Sequence, residues 1–440
     1  MRRPPWLAAR AACVLLVSCA ATAHAANLGA IYALALANDP QYAAAVQAAS
    51  AGREKSAQGR ALLRPTIGVS GNGRHNYDSS SSYSGTASYN SGNIALNASQ
   101  PLLRLANQAA YRQGELQAQL ADRQLDLARQ DLLVRVARGY FDVLQSQDTL
   151  TTVRGQRDAF EGQLAQARRS FEVGLAPVTD LNEAQARYDL TLAQEIAAKN
   201  DIEVKRHALE KAIGRELPML ATLDPGADID ILEEARLKAL STSAPDQALP
   251  VAIGALAEQI ASQEVARQRA GHTPTVDLVA SVGENRNGNF SQVGKQRTSN
   301  TSIGIELSIP LYEGGAISSR TREAAYNLSR AQSELDNARR QAVLDASQAV
   351  LGVQSGIALD KALRKAVTSG ETQVRSTRRG LDVGLRTRVD VLNAEQQLYS
   401  TRRDLAAARY QALASGLLLK AAAGLLREDD LRSLDALLKE

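Results

Sequence analysis

The sequence predicts an α+β protein made of two structural repeats, each with a pair of β-strands followed by a pair of very long α-helices. Passages of the two halves match at a common offset of 209–210 residues. Each half contains a long stretch without proline that is rich in Ala, Leu, Gln, Arg and Glu, which are good helix formers. Before each of these stretches, apolar and polar residues alternate with the period of two that is typical of strands.

The first 25 residues are expected to be a signal peptide that is removed after export. Met1–Arg10 is a short basic segment, residues 11–21 are apolar, and Ala23-His24-Ala25 forms a small-x-small cleavage site. A second interpretation stays open, because Leu16-Val17-Ser18-Cys19 resembles a lipobox that would leave a lipidated cysteine at the N-terminus. No later segment reaches the ~18 consecutive apolar residues of a membrane-spanning helix, so none is expected in the mature chain.

Composition excludes several classes of function. The 51 Lys and Arg residues nearly balance the 47 Asp and Glu residues, so the chain lacks the positive surplus of a nucleic-acid-binding protein. Both cysteines lie in the leader, which excludes thiol catalysis and cysteine-based metal sites. The histidines of the mature chain, His75, His207 and His272, are dispersed, and no phosphate-binding loop or nucleophile elbow is present. We therefore expect no enzyme, no cofactor and no metal site.

The internal duplication sets the expected domain boundaries. Residues 168–175 read Arg-Arg-Ser-Phe-Glu-Val-Gly-Leu and residues 378–385 read Arg-Arg-Gly-Leu-Asp-Val-Gly-Leu, so five of the eight positions are identical. Further matches at this offset are Asp180 with Asp390, Pro40 with Pro250, Pro65 with Pro274 and Pro101 with Pro310. The expected domains are a first repeat over 26–215, an equatorial linker over 216–246, a second repeat over 247–424 and a C-terminal equatorial segment over 425–440.

The proline-free stretches predict two long helical hairpins. Residues 106–169 and 316–379 would each form a helix of about 95–100 Å at ~1.5 Å per residue. Shorter helices are expected near 180–213 and 390–424, after turns in which a glycine stops one helix and an aspartate begins the next. One chain cannot bury every face of such helices, so partner helices are implied.

Alternating segments predict two strands in each half, within about 65–100 and 274–310, separated by polar loops. In the clearest segment, residues 303–308 read Ile-Gly-Ile-Glu-Leu-Ser. One apolar and one polar face suits a β-barrel wall between lipid and water, but surface strands of a soluble sandwich alternate in the same way. If the strands lie in a membrane, four per chain cannot close a barrel, for which about eight is the minimum, whereas three chains would together supply twelve.

Several passages resemble the TolC family of outer-membrane channel proteins, in an order and duplicate spacing that cover nearly the whole mature chain. They are residues 27–40, 140–144, 173–180, 308–315 and 383–393. The resemblance implies a homotrimer in which each chain contributes four strands to a shared twelve-stranded β-barrel in the outer membrane. It also implies a long α-helical tunnel that hangs into the periplasm, with the linker and the C-terminal segment in an equatorial region around it.

Channels of this family dock an inner-membrane pump of the ABC, RND or MFS type through a periplasmic adaptor, or membrane fusion protein, and export small molecules or proteins. The resemblance implies the same function here, with outer-membrane lipid around the barrel and no catalysis. The alternative from a different class is a periplasmic coiled-coil adaptor or structural protein with a lipid anchor at Cys19. The duplicated strand pairs favour the channel, since an adaptor has no reason to double them.

The resemblance places a pore constriction at Asp390 and Asn393. In a trimer, Asp390 would put three carboxylates around one axis, where they repel each other and attract cations. A helix N-cap explains Asp390 equally well, because the residue follows a turn at the start of a predicted helix. Asn393 stands where some relatives carry a second acid, and Arg388 lies nearby, so the acidic ring is thinner in this chain.

The resemblance also implies an entrance latch, in which Arg386 ties the second hairpin to the first near Thr179 and Asp180. Leu381 stands where a relative has a latch tyrosine, so part of the latch is missing or replaced. A solvated surface charge is the alternative for Arg386. For Asp180 an N-cap role is favoured, because Glu183 follows at the spacing of a capping box.

The turns at the hairpin tips are implied to dock the adaptor. These turns are Val173-Gly174-Leu175 and Val383-Gly384-Leu385. A helix-stopping glycine and a packed leucine are expected at each tip in any case, with adaptor contact in addition.

Overall fold

The computed structural model describes residues 25–79, 86–224, 226–227, 247–288 and 296–439. The expected signal peptide up to residue 24, Cys19 and most of the expected linker lie outside the described residues. The helices are α1 (Leu28–Asn38), α2 (Pro40–Ala61), α3 (Leu105–Glu172), α4 (Val178–Ile213), α5 (Leu249–Arg269), α6 (Ala316–Asp382), α7 (Arg388–Ala422) and α8 (Asp429–Asp435). The strands are β1 (Thr66–Ser79), β2 (Thr86–Leu103), β3 (Thr222–Leu223), β4 (Thr275–Asn287), β5 (Gln296–Ser308) and β6 (Leu438–Lys439).

The predicted fold class is confirmed, because a pair of strands precedes each of two long helical hairpins, α3–α4 and α6–α7. Helix α3 has 68 residues and α6 has 67, which makes each about 100 Å long at ~1.5 Å per residue. Each half also begins with helices that the sequence analysis did not single out. Helices α1 and α2 precede the first strand pair, and α5 precedes the second.

Small residues let α2 lie directly against α3. A Cβ atom added to Gly52 would come within 2.3 Å of the Ala121 Cβ atom, and one added to Gly114 within 2.4 Å of the Lys55 carbonyl oxygen. Such distances are too short for any side chain, so glycine is required at both crossings. Helix α5 packs in turn against both α3 and α6, and thereby joins the two halves.

The four long strands form one antiparallel sheet in the order β1-β2-β4-β5. Because side chains alternate between faces, the register collects apolar residues on one face and polar residues on the other. One apolar row consists of Ile67, Ala98, Ala280 and Ile303, and the neighbouring polar row consists of Gly68, Asn97, Ser281 and Ser302. Strands β1 and β5 are the edges of this sheet, so a closed wall needs strands from further chains.

The main hydrophobic core lies where α1, α3, α4, α7 and α8 meet residues 217–223. Tyr140 in α3 is fully buried there, and its hydroxyl donates a hydrogen bond of 2.8 Å to the carbonyl oxygen of Ala221. The carboxylate of Asp435 accepts a hydrogen bond of 2.8 Å from the backbone N–H of Leu28. The C-terminal segment therefore holds the beginning of α1 against the middle of the long helices.

Within the described ranges, α6 is long and apolar enough, by length and composition, to cross a membrane. Its most apolar window of 18 residues has a mean hydropathy of 1.3. This is weak evidence, because helices in protein cores pass the same test. Helix α6 has 67 residues where about 20 suffice to span a bilayer, and it packs along α5 and α7. We interpret the apolar window as a surface for neighbouring helices, and the absence of a membrane-spanning helix stays a prediction.

Candidate functional site

The tips of the two hairpins share one backbone geometry. The turn after α3 contains Gly174 with a φ angle of +74°, and the turn after α6 contains Gly384 with a φ angle of +76°. In both turns the N–H of the following leucine donates a hydrogen bond of 2.8 Å to a carbonyl oxygen of the preceding helix. Both helices therefore end in the left-handed turn that glycine adopts at least cost, as expected from the sequence.

Each tip presents apolar side chains to solvent. Leu175 is 83% exposed and Leu385 is 81% exposed, and Val173 and Val383 beside them are also exposed. The expectation that the leucines are packed is therefore wrong within one chain, because the glycine turn projects them away from the hairpins. An apolar pair at matching positions of both repeats is a surface that a protein partner can cover.

Helix α7 begins with a reciprocal pair of hydrogen bonds, a capping box. The backbone N–H of Asp390 donates to the Thr387 hydroxyl (3.2 Å), and the backbone N–H of Thr387 donates to the Asp390 carboxylate (2.9 Å). This second bond is the main cause that lowers the pKa of the Asp390 carboxyl below its ordinary value. Thr387 is the N-cap and Asp390 lies three residues further on, so the N-cap role considered for Asp390 is wrong, and its side chain instead completes the capping box. The Thr-x-x-Asp spacing at residues 387–390 is a local sequence signal that could have identified this capping box.

The predicted latch residues are not joined within one chain. Arg386 is exposed, Thr179 is exposed and Asp180 is half-buried. Among the described residues, no hydrogen bond or ion pair links Arg386 to either of the other two. The N-cap of α4 is Pro177, and Asp180 lies within the first turn, so the favoured N-cap role for Asp180 is wrong.

Arg388, the first residue of α7, makes the contact with the first hairpin instead. Its side chain is only 8% exposed, and one terminal nitrogen donates to the Ser170 hydroxyl in α3 over 3.4 Å. The Nε atom and the other terminal nitrogen are buried with no hydrogen-bond partner in the part of the chain that the structure describes. In the sequence, Arg388 stands out only as a neighbour of the predicted constriction. Its burial depends on where α3 lies, which no local pattern reveals.

One turn further along α7, an apolar contact fixes the same helix face against the first hairpin. Leu392 is fully buried and packs in one cluster with Phe160, Leu164 and Ala167 of α3 and Ala184 of α4. Burial of a leucine of this kind contributes about 1.5–3 kcal/mol by area.

Glu395 follows on this face and is only 1% exposed. Arg378 of α6 donates to its Oε1 atom through Nε (3.0 Å), and the Gln163 amide of α3 donates to the same atom over 3.4 Å. The Oε2 atom has no partner among the residues described. Burial raises the pKa of the Glu395 carboxyl, and the positive charge of Arg378 opposes this shift.

Asn393 is exposed and binds the first hairpin rather than standing free. Arg187 of α4 donates to its Oδ1 atom over 3.0 Å, also donates to Gln396, and pairs with Glu183 at 2.9 Å. The two predicted constriction residues thus lie near each other on the beginning of α7, and the side chains of both are engaged within the chain.

Within the described ranges, no group of three or more His, Cys, Asp or Glu side chains is arranged so that it could hold a metal ion. The three histidines among the described residues lie on separate elements: His75 in β1, His207 in α4 and His272 in the short turn before β4.

Comparison with known proteins places this geometry in a family. The model of the family described as "Outer membrane efflux protein" matches residues 31–215 and 244–425. The outer membrane protein TolC of Vibrio cholerae is 32% identical over 417 residues, which cover 94% of this chain and 94% of that protein. The alkaline protease secretion protein AprF of Pseudomonas aeruginosa is 34% identical over 70% of this chain and 65% of its own length.

Solved structures show the same fold at lower identity. The outer membrane protein VceC of Vibrio cholerae aligns with a TM-score of 0.77 and 19% identity over 90% of this chain and 96% of that chain. The CmeC outer membrane channel of Campylobacter jejuni aligns with a TM-score of 0.80 and 16% identity over 94% and 90% of the two chains. These likenesses show the architecture of the chain.

Proposed function

Because this chain belongs to the outer membrane efflux protein family, whose members are transport channels, we propose that it is the outer-membrane conduit of an export machine. Channels of the family are homotrimers that lie in the outer membrane, extend into the periplasm, and work with a periplasmic adaptor and an inner-membrane pump. The alternative of a periplasmic adaptor loses its support, because the family match includes both halves with their strand pairs. Membership in a family of channels also supports the expectation that the chain has no catalytic activity.

The observation that carries the proposal is a two-faced sheet joined by short connections to two helical hairpins. Helix α3 follows β2 after a single residue, Arg104, which pairs with Asp277 of β4 (Nε to Oδ1, 2.8 Å) at this junction. Three chains would close four strands each into a twelve-stranded barrel, with the apolar face towards lipid. The hairpins of the three chains would continue this barrel as the wall of a tunnel about 100 Å long.

The polar face of the sheet supports passage of cargo rather than tight binding. It is lined mainly by Asn, Ser, Thr and Gly, among them Asn72, Asn93, Asn97, Asn285 and Asn300. Neutral amides and hydroxyls exchange hydrogen bonds with water and with a passing polar solute without holding either through charge.

Relatives indicate two classes of cargo. AprF is named for alkaline protease secretion, and BepC of Brucella suis is named as an efflux protein. We propose export of small molecules or proteins for this chain, with the choice made by the inner-membrane partner. The exposed tips, Val173 to Leu175 and Val383 to Leu385, are the proposed docking surface for the adaptor.

The beginning of α7 is the proposed gate at the periplasmic entrance. The Glu395–Arg378 pair joins α7 to α6 of its own hairpin. Leu392 and the hydrogen bond from the Gln163 amide of α3 to Glu395 hold α7 against the first hairpin in this structure. Arg388 acts in the opposite sense, because one long hydrogen bond is outweighed by two buried nitrogens without partners, each at a cost of about 1–3 kcal/mol. Movement of α7 into water would hydrate Arg388, so this residue favours opening.

Asp390 and Asn393 remain the proposed constriction, and Arg386 with Asp180 and Thr179 remains a proposed latch of the assembled entrance. Support for the constriction comes from the low pKa of Asp390, which keeps the carboxylate charged, and from its position at the start of the gate helix. Three such charges around one axis would favour cations.

Ion current through the mature protein in a planar lipid bilayer tests the channel and its constriction together. We expect small stable steps from a trimer that fractionates with the outer membrane. Asp390→Asn should reduce the preference for cations, whereas Thr387→Ala keeps the charge and only weakens the cap. Equal loss of preference in both variants would assign the effect to helix geometry instead of charge. A folded protein that carries no current contradicts the channel.

A further inference from the structure

The lipid-facing side of the sheet carries two arginines at the end that lies away from the helices. Arg286 in β4 and Arg297 in β5 are directly opposite each other in the register. Alternation along each strand places them on the same face as Val282 and Ile303. Both side chains are well exposed, at 69% and 65%.

Along the barrel axis, the two arginines lie at the height expected for one boundary of the apolar band. Along β5, Arg297 lies ten positions before Leu307, the first apolar residue of this face. This separation is about 33 Å along the strand and about 25 Å along the barrel axis at a usual tilt of 35–45°, which is the height of an outer-membrane apolar band. Since the helices leave the sheet at the Leu307 end, the arginines lie at the boundary with the outer leaflet.

A carboxylate holds both arginines but neutralises only one of them. Glu284 accepts from Arg286 Nε over 2.8 Å and from Arg297 over 2.5 Å. Like charges directly opposite each other in a strand pair are unfavourable, and Glu284 offsets that repulsion. One net positive charge therefore remains on the outward face, with guanidinium N–H groups left over on each arginine.

The same row of the sheet leaves open space beside the arginines. Arg286 is opposite Gly92, and Gly92 is opposite Gly73. A Cβ atom added to Gly73 would meet no other atom within 4 Å. A headgroup beside Arg286 could therefore approach the backbone of two neighbouring strands, while its acyl chains would run along Val282 and Ile303.

We propose that Arg286 and Arg297 form a binding site for the phosphate of an anionic lipid headgroup in the outer leaflet, one site per chain of the trimer. Arginine binds phosphate with paired, charge-assisted hydrogen bonds. A lipid rather than a soluble anion is the occupant, because the site faces outward at the edge of the apolar band. The inference rests on the proposed outer-membrane position of the sheet.

Native mass spectrometry of the mature trimer, titrated in detergent with bis-phosphorylated lipid A, tests the site. We expect up to three retained lipids per trimer and at least about tenfold weaker retention in the double variant Arg286→Gln/Arg297→Gln. The matched control is Arg74→Gln, which removes an arginine near the same level but on the polar face, and should leave retention unchanged.

Two further arms separate the possible sources of phosphate. The unaltered protein should retain dephosphorylated lipid A only as weakly as the double variant retains bis-phosphorylated lipid A. Free pyrophosphate at the same concentration should not displace the bound lipid. Equal retention of both lipids, unchanged retention in the double variant, or displacement by pyrophosphate would each overturn the proposal. Trimer formation and ion current in the variants, measured alongside, show separately whether the channel itself is intact.

Discussion

At the start of α7, two residues only four positions apart are expected to act on the gate in opposite directions. Arg388→Leu removes two unpartnered buried nitrogens and leaves a shorter, apolar side chain, so the closed entrance should become more stable and open steps rarer. Leu392→Ala removes a fully buried side chain, with a loss of about 2–5 kcal/mol, so open steps should become more frequent. Single-channel recording in a planar bilayer measures both changes.

Matched controls for this pair lie on the exposed part of the same hairpin. Arg379→Leu and Leu385→Ala change the same residue types where the side chains are exposed, and should leave the open frequency unchanged. More frequent opening in Arg388→Leu would contradict the assigned role of the arginine and would make it a latch.

We expect Glu395 to make the proposed gate dependent on pH. Its pKa is raised by burial in this arrangement, where Arg378 and the Gln163 amide face it. We take this arrangement as the closed state of the proposed gate, and we expect the pKa to return to an ordinary value when α7 moves into water. The closed state thus binds the proton more tightly. This stabilisation of the closed state is fully present below the ordinary pKa of glutamate and is lost as the pH rises through the raised pKa. We expect the open frequency to fall on acidification, and Glu395→Gln to abolish that dependence. The same acid response in Glu395→Gln would exclude Glu395 as its source.

The sequence indicated Arg386 as the residue that joins the two hairpins, whereas within one chain Arg388 makes a contact between them. Arg386 and Arg388 are two positions apart on the same turn and look alike in the sequence. Arg388 is buried where it contacts Ser170 of α3, which is 218 residues away along the chain, whereas Arg386 is exposed. Local patterns identify caps such as Thr387 with Asp390, because the partners are three residues apart. They do not identify contacts between hairpins.

At the scale of elements, the two hairpin tips are expected to contribute equally to the proposed docking surface for the adaptor. Leu175→Ala and Leu385→Ala each remove an exposed side chain, so the melting temperature of the trimer should not change. Binding of the adaptor should weaken in both variants and weaken further in the double variant, because apolar contact area is lost at each tip. Adaptor retention on the immobilised trimer measures this effect. Unchanged retention in the double variant would place the docking surface elsewhere.

Long elements were predicted closely and short ones were missed, for a physical reason. The expected helices over 106–169 and 316–379 correspond to α3 and α6, which extend only a few residues further. A long run of good helix formers that begins after a proline and ends at a glycine turn restricts where the helix can begin and end. Helices α2 and α5 are shorter and were not singled out. Their close packing depends on crossings such as Gly52 with Ala121, which are tertiary contacts.

At the scale of the whole molecule, one chain alone leaves sheet edges and apolar helix faces without partners. The sheet ends in two edge strands, and large apolar side chains remain exposed on helices α4 and α6, including Ile196, Val204, Tyr326 and Leu351. Open edges are not viable in lipid, and exposed apolar stripes on long helices call for partner helices. Assembly of a symmetric trimer would pair the sheet edges and cover the exposed apolar helix faces at the same time. In such a trimer, each chain contacts one neighbour through one side of its sheet and hairpins and the other neighbour through the opposite side.

Charges placed on these helix faces should therefore prevent assembly without unfolding the chain. Val204→Glu in α4 and Leu351→Glu in α6 each put a carboxylate on an exposed apolar position, so helix content should be retained while the trimer is lost. Circular dichroism and native mass spectrometry measure the two properties separately. The control Leu175→Glu introduces the same charge at a hairpin tip and should leave the trimer intact. If both helix variants remained trimeric, these side chains would face the tunnel or the periplasm, and the subunit contact would depend on the sheet edges and on other faces of the helices.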